Sequence, residues 1–405
     1  MNSNGNTLSN LIDKAGSVSK SPVNDFLDLM LKILRKHLGM EVAFVSRVAN
    51  GRREMRVIDT ELESLALRAG HSDALDETYC QLIIQGKIPQ LIHNATDMPE
   101  VGHIAATHTL PVGALISVPL LLDDGSVYGT LCCFSTKPDD SLSSRDLNLV
   151  QAFAEVARER ISGETKENDT AMFLTQRLNR LLADRLFHTV YQPIVDLAQR
   201  RLIGYEALTR FDMEPIRPPD KWFAEARRIA KEIDLEIACI NSAVQFIPFL
   251  GEDCYLSINA SPEVLVTQEF HKIIALVQKD KLVIEITEHA IIDSYEHLTE
   301  VINILREQGI RIAVDDAGAG YASFKHILAL KPDIIKLDMS LVRNIDTDFH
   351  KNALARGLMS FATAIGCRVI AEGVETEEEL VALKNIGVNK AQGYLLGSPQ
   401  KYVRD

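Results

Sequence analysis

Four strand-like segments in the second half of this chain run out on carboxylates. They are Tyr205-Glu206-Ala207-Leu208, Ile284-Glu285-Ile286-Thr287-Glu288, Ala313-Val314-Asp315-Asp316 and Val369-Ile370-Ala371-Glu372. A buried carboxylate is costly unless a cation or a hydrogen-bond network compensates it. Four such acids in one region point to a shared compensator, and a pair of divalent cations is the simplest. The late polar residues of neighbouring strand candidates extend the set with Asn259, Lys336 and Gln392. Apart from Lys336 these residues offer oxygen donors, and none is His or Cys, which suits Mg²⁺ or Mn²⁺ better than zinc or copper. Adjacent Asp315 and Asp316 allow one carboxylate to bridge two ions. Such a pair activates water and stabilises the entering and leaving oxygens of a phosphoryl displacement. Lys336, a poor core residue inside Ile334-Ile335-Lys336-Leu337-Asp338, suits holding that water or lending charge to the transition state. Arg210 shares a strand face with Glu206 and suits a phosphate clamp.

Something must bring these residues to one place. Eight strand candidates follow Val190: 190–196, 202–211, 255–260, 282–288, 310–317, 334–339, 368–373 and 390–396, most of them separated by helical stretches. This alternation predicts a TIM-like (β/α)8 barrel, whose active site lies where the parallel strands end. Only Leu197 to Arg201 separates the first two strands, too few residues for a parallel crossover, so one strand must run antiparallel. The reversal carries Gln192, near the start of its strand, to the same rim.

The first half reads as a smaller α+β domain. A helical stretch near residues 24–39 precedes strands at 42–47, 114–122 and 126–135, and a second helix begins at Ser144. We place a polar, disordered tail at 1–21, the α+β domain at 22–162, a helical linker at 163–178 and the barrel at 179–405. A net charge of −13 argues against DNA as a partner. No apolar run reaches the ~18 residues of a membrane span. The cysteines, Cys80, Cys132, Cys133, Cys239, Cys254 and Cys367, form no CxxC pair. Together these readings place the protein in the cytoplasm, away from membrane and DNA.

The barrel half resembles the EAL phosphodiesterases. Glu206-Ala207-Leu208-Thr209-Arg210 carries the signature. Tyr191-Gln192-Pro193-Ile194, Asn259, Glu285-Ile286-Thr287-Glu288, Asp315-Asp316, Lys336-Leu337-Asp338, Ala371-Glu372-Gly373-Val374-Glu375 and Gln392-Gly393-Tyr394 follow the family's order. The resemblance implies hydrolysis of cyclic di-GMP to linear pGpG with two Mg²⁺ or Mn²⁺ ions. It implies that Glu206, Asn259, Glu285 and Asp315 hold one ion, and Asp315 with Asp316 the other. Lys336, Glu372 and Gln392 would serve the attacking water, Gln192 and Arg210 would contact substrate, and Glu288 would anchor the loop after Asp316. That loop departs from the family's Asp-Asp-Phe-Gly-Thr-Gly, with Ala317 in the aromatic position.

The first half resembles a GAF domain through Asp76-Glu77-Thr78-Tyr79-Cys80 and Leu91-Ile92-His93-Asn94-Ala95. The likeness implies a sensor for a small molecule that the sequence does not name. Cys80, His93, His103 and His108 suggest a redox or metal sensor as one reading; packing for Cys80 and surface positions for the histidines is the plainer one. Adjacent Cys132 and Cys133 should point to opposite sheet faces. The helices flanking the sensor suggest a homodimer in which a signal reorients the two barrels. Two other functions fit the residues: a non-catalytic cyclic di-GMP receptor, and a metallo-phosphodiesterase for another phosphodiester.

Overall fold

The computed structural model describes residues 21–62, 67–102, 104, 107, 112–286, 295–317 and 327–402. The chain forms two compact units, Met1–Thr170 and Ala171–Asp405. Among the described residues no helix is long and apolar enough to cross a membrane.

In the first unit, a helix over Pro22–Leu38 starts on Ser21, whose hydroxyl accepts the Val23 amide, and stops at Gly39 with φ 63°. Those are the expected chemistries of a helix start and a left-handed stop. An antiparallel sheet is built from Val42–Ala49 (β1), Arg52–Thr60 (β2), Ser72–Ala74 (β3), Leu91–Ile92 (β4), Ala114–Leu121 (β5) and Val127–Ser135 (β6). Its order is β3-β2-β1-β6-β5-β4. Period-two alternation divides the sheet into two apolar faces. Ala43, Val45 and Cys133 face the Pro22–Leu38 helix and Ile161. Val42, Phe44 and Cys132 face Tyr79, Cys80 and Ile83 of the short helix Tyr79–Ile84.

The sequence reading omitted β2. Its inward positions are Arg53, Met55 and Val57, with Arg52 and Glu54 exposed. A buried arginine where an apolar residue is expected hides the alternation. The helix that begins at Ser144 and the stretch read as a helical linker lie in one helix, Ser144–Ala183.

In the second unit the strands are Phe187–Asp196 (β7), Arg201–Phe211 (β8), Tyr255–Asn259 (β9), Leu282–Ile286 (β10), Arg311–Ala317 (β11), Ile334–Leu337 (β12), Arg368–Ala371 (β13) and Lys390–Ala391 (β14). They close into a barrel ordered β10-β11-β12-β13-β14-β7-β8-β9. Strand β7 runs antiparallel to both neighbours, and the other pairings are parallel. The expected reversed strand is therefore present. Strand β14 is much shorter than the reading at 390–396, because the chain turns at Gly393, where an added Cβ would meet the Val374 backbone.

Candidate active site

The barrel interior is an apolar layer beneath a polar one. Ile194, Ile203, Tyr255, Val283, Ala313, Ile334 and Ile370 fill the lower layer. Two residues further along the parallel strands, on the same face, the chain places Ser257, Glu285, Asp315, Lys336 and Glu372. On reversed β7 the equivalent step runs backward, from Ile194 to Gln192. One alternation thus fixes both the packed floor and most of the reactive rim; on β8 Glu206 comes three residues after Ile203.

Lys336 lies at the centre of this rim and is fully buried. Its Nζ donates to Glu285 Oε2 at 2.7 Å. It also lies 2.5 Å from Glu372 Oε1, 3.2 Å from Asp315 Oδ1 and 3.4 Å from Glu206 Oε2. Burial works against the ammonium, but Asp315, Glu206, Glu285 and Glu372 overcome it and hold the pKa well above the ordinary lysine value. One ammonium does not neutralise four carboxylates. Burial pushes Glu285 up to about 8 despite Lys336. Burial, reinforced by Asp315 and Glu206, likewise raises Glu372 well above the carboxylate range. Glu206 is buried too, yet Lys336, Gln392 and Asn259 together hold it below its usual value.

A chain of amides supports Glu206. Gln392 Nε2 donates to Glu206 Oε2 at 2.5 Å and to Gln192 Oε1 at 2.9 Å. Gln192 lies directly opposite Glu206 in the β7–β8 ladder and donates to the Gly397 carbonyl. Asn259 Nδ2 donates to Glu206 Oε1 at 3.3 Å. The Ser257 hydroxyl donates to Glu285 Oε1 at 2.5 Å. Asp316 has φ 57°, a left-handed conformation that aspartate tolerates better than most residues. Its amide donates to Asp315 Oδ1 at 2.9 Å.

These residues fit divalent cations. Carboxylate oxygens of Glu206, Glu285 and Asp315 lie within 4.8 Å of one another, and so do those of Asp315, Asp316 and Glu372. The two groups share Asp315. Gln392 Oε1 is buried without a hydrogen-bond partner, and Glu372 Oε1 has the Lys336 ammonium 2.5 Å away as its counter-charge. An all-oxygen cluster in which carboxylates outnumber the one ammonium, beside an orphaned acceptor, is the chemistry that hard cations satisfy.

The structure therefore brings Gln192, Glu206, Asn259, Glu285, Asp315, Asp316, Lys336, Glu372 and Gln392 to one rim. Arg210 lies four residues beyond Glu206 on β8 and donates to the Thr209 carbonyl. It lines a groove of about 350 Å³ with Leu208, Phe223, Glu236 and Asn259. Glu288 lies outside the described residues, as does the loop from Gly318 to Gly320. Sequence reasoning missed Ser257 and Glu236. Ser257 carries a signal, since it sits two residues before Asn259 on the inward face. Glu236 carries none: it lies in the helix Glu232–Ala243, and its carboxylate accepts from the Ser261 amide and, at 2.8 Å, from the Ser261 hydroxyl.

A closed eight-stranded barrel with one reversed strand and a carboxylate rim defines a recognisable class. The EAL domain model matches residues 175–399, and the chain belongs to that family. A GAF domain model matches residues 20–161. A probable cyclic di-GMP phosphodiesterase of Escherichia coli is 35% identical over 227 residues, covering 53% of this chain and 29% of that protein. A cyclic di-GMP phosphodiesterase of Pseudomonas aeruginosa is 29% identical over 282 residues, covering 64% of this chain and 48% of that protein. The chain thus spans less than half the length of either relative. The solved PaMucR phosphodiesterase, in complex with c-di-GMP, shares the fold with a TM-score of 0.51 and 22% identity, covering 56% of this chain and 97% of that one.

Proposed function

We propose that the barrel hydrolyses cyclic di-GMP to linear pGpG under the control of the GAF domain. The observation that carries this reading is the pair of carboxylate groups sharing Asp315 around Lys336. The phosphodiesterase names of the relatives supply the substrate class. Glu206, Asn259, Glu285, Asp315 and Asp316 would hold two Mg²⁺ or Mn²⁺ ions. When bound, such ions supply charge neutralisation at phosphate and water activation at neutral pH.

The chain's own residues do the rest. Lys336 keeps its proton and places a fixed positive charge where oxygen charge develops, which favours the transition state in a water-poor site. Gln392 and Gln192 fix the orientation of Glu206, and Ser257 fixes that of Glu285. Orientation of this kind is what keeps ligand geometry productive. Arg210 offers its guanidinium to a phosphate along the groove. We assign control to residues 22–162, transmission to 163–178 and catalysis to 179–405, acting as a homodimer.

The test is incubation of the purified chain with cyclic di-GMP and Mg²⁺ or Mn²⁺. Formation of pGpG supports the reading, and its absence with either ion contradicts it. A cyclic di-GMP receptor would keep its binding and output in Glu206→Ala, whereas an enzyme loses turnover. The complete carboxylate set favours the enzyme.

A further inference from the structure

Away from the barrel, the GAF sheet buries a second polar cluster. Strands β1, β5 and β6 contribute Ser46, Ser117, Thr130 and Cys132, and β2 contributes Arg53. All five are at most 4% exposed. The short helix Tyr79–Ile84 lowers Cys80, 1% exposed, onto them. Sulfur Sγ of Cys80 lies 3.9 Å from Sγ of Cys132. Arg53 Nη1 donates to Cys80 Sγ at 3.3 Å, and Thr130 Oγ1 donates to it at 3.1 Å. Asp73 accepts from Arg53 Nε and Nη2, which leaves Nη1 aimed at the sulfur. Asp73 is partly exposed, so water screens its charge, while Cys80 faces the guanidinium where both are buried. The Ser117 hydroxyl lies 2.9 Å from Cys132 Sγ.

This environment differs from that of an inert core thiol. Cys133 is the built-in comparison: it is the next residue on the same strand and lies on the opposite, apolar face. Burial pushes Cys133 up to about 12, against a smaller opposing pull from the Arg35 charge. Cys80 goes down to about 5, through the hydrogen bond with Cys132 and then, against burial, through Arg53 and Thr130. A thiolate faced by a guanidinium and a hydroxyl is the reactive form of cysteine.

We propose that Cys80 and Cys132 form a redox site in the GAF domain, oxidised by a hydroperoxide and restored by a dithiol. The Cys80 thiolate attacks the terminal peroxide oxygen. The O–O bond breaks, Cys80 becomes a sulfenic acid, and the alkoxide or hydroxide leaves with a proton from solvent. Arg53 Nη1 and Thr130 Oγ1, the two donors on the sulfur, are the groups that would stabilise the departing charge. The Cys132 thiol then attacks the Cys80 sulfur, forming the disulfide and releasing water. The sulfurs must close from 3.9 Å to about 2.05 Å. That movement draws the Tyr79–Ile84 helix toward the sheet, a displacement within the sensor domain. Reduction by a dithiol returns both thiols.

The experiment uses the full chain, fully reduced and then treated with hydrogen peroxide. Intact mass should fall by about 2 Da, the loss of two hydrogens, and recover with dithiothreitol. Non-reducing digestion should yield a Cys80–Cys132 linked peptide pair, with Cys133 and Cys239 unmodified. In Cys132→Ser, dimedone should trap a sulfenic acid at Cys80. In Arg53→Gln, oxidation should slow about tenfold or more as the thiolate loses its partner. The wild-type measurement alone is decisive should either variant fail to fold. Retention of both thiols in peroxide would overturn the proposal, as would oxidation confined to Cys254 or Cys367.

Discussion

Gln392 and Gln192 share a 2.9 Å hydrogen bond across the antiparallel seam that closes the barrel. The same Gln392 nitrogen reaches Glu206, so closure of the fold and orientation of a candidate ligand depend on one amide. Gln192→Ala and Gln392→Ala should therefore be non-additive. A double-mutant cycle on kcat/KM should give a coupling of about 0.5–3 kcal/mol, the range for residues in one network. Strict additivity would show that the bond does not position Glu206.

Lys336 is the one positive charge that the four rim carboxylates share. Lys336→Met leaves Glu206, Glu285, Asp315 and Glu372 facing one another in a buried site. Removing one partner of a buried ion cluster costs about 3–5 kcal/mol. Calorimetry should show the barrel transition of the metal-free variant well below wild type. Mg²⁺ or Mn²⁺ should recover part of the loss, because binding to the folded state alone stabilises it by mass action. Turnover should not recover with it.

Ser257 tests the support beneath the ligands. Ser257→Ala removes the hydroxyl that donates to Glu285 Oε1 while leaving every carboxylate in place. The expected result is a 10–100-fold weaker activation by Mg²⁺, the usual effect of losing a group that orients a metal ligand. Titrating activity against metal concentration measures it.

These residues show what the sequence discloses and what it withholds. Lys336 and the strand-end acids are legible because a charged residue in an apolar strand violates burial energetics, and period two puts Glu285, Asp315 and Glu372 on one face. The reversed strand is legible because five residues do not make a parallel crossover. Ser257 is weak in sequence because a small hydroxyl is unremarkable in a strand. Glu236, the Cys80–Cys132 pair and β2 are not legible for a shared reason. Their meaning comes from partners far away in sequence, such as Ser261 for Glu236 and Cys80 for Arg53, brought together only by the fold.

Glu236 makes a pH prediction. Burial raises its carboxyl from 4.5 to about 7, against the hydrogen bonds from Ser261. A carboxyl raised on folding holds its proton more tightly in the folded state. Its contribution to stability is therefore complete below about pH 4.5 and is lost as pH rises through 7. Glu236→Gln keeps an acceptor for the Ser261 amide, turns the second contact into Nε2 donating to the Ser261 hydroxyl, and removes the titration. Between pH 4.5 and 7.5 wild type should lose about 1–3 kcal/mol relative to the variant, read from thermal midpoints across pH. Parallel curves for the two proteins would contradict this assignment.

The central claim is that this carboxylate rim hydrolyses cyclic di-GMP in a metal-dependent way. Chromatography of cyclic di-GMP and pGpG tests it, comparing the full wild-type chain with Glu206→Gln, each with Mg²⁺ or Mn²⁺ and again with EDTA. The prediction is pGpG from wild type, no product in EDTA, and a rate loss on the order of 10²–10³ or more in the variant. Wild type that forms no pGpG with either ion, or a Glu206→Gln variant that keeps the wild-type rate, would contradict the account.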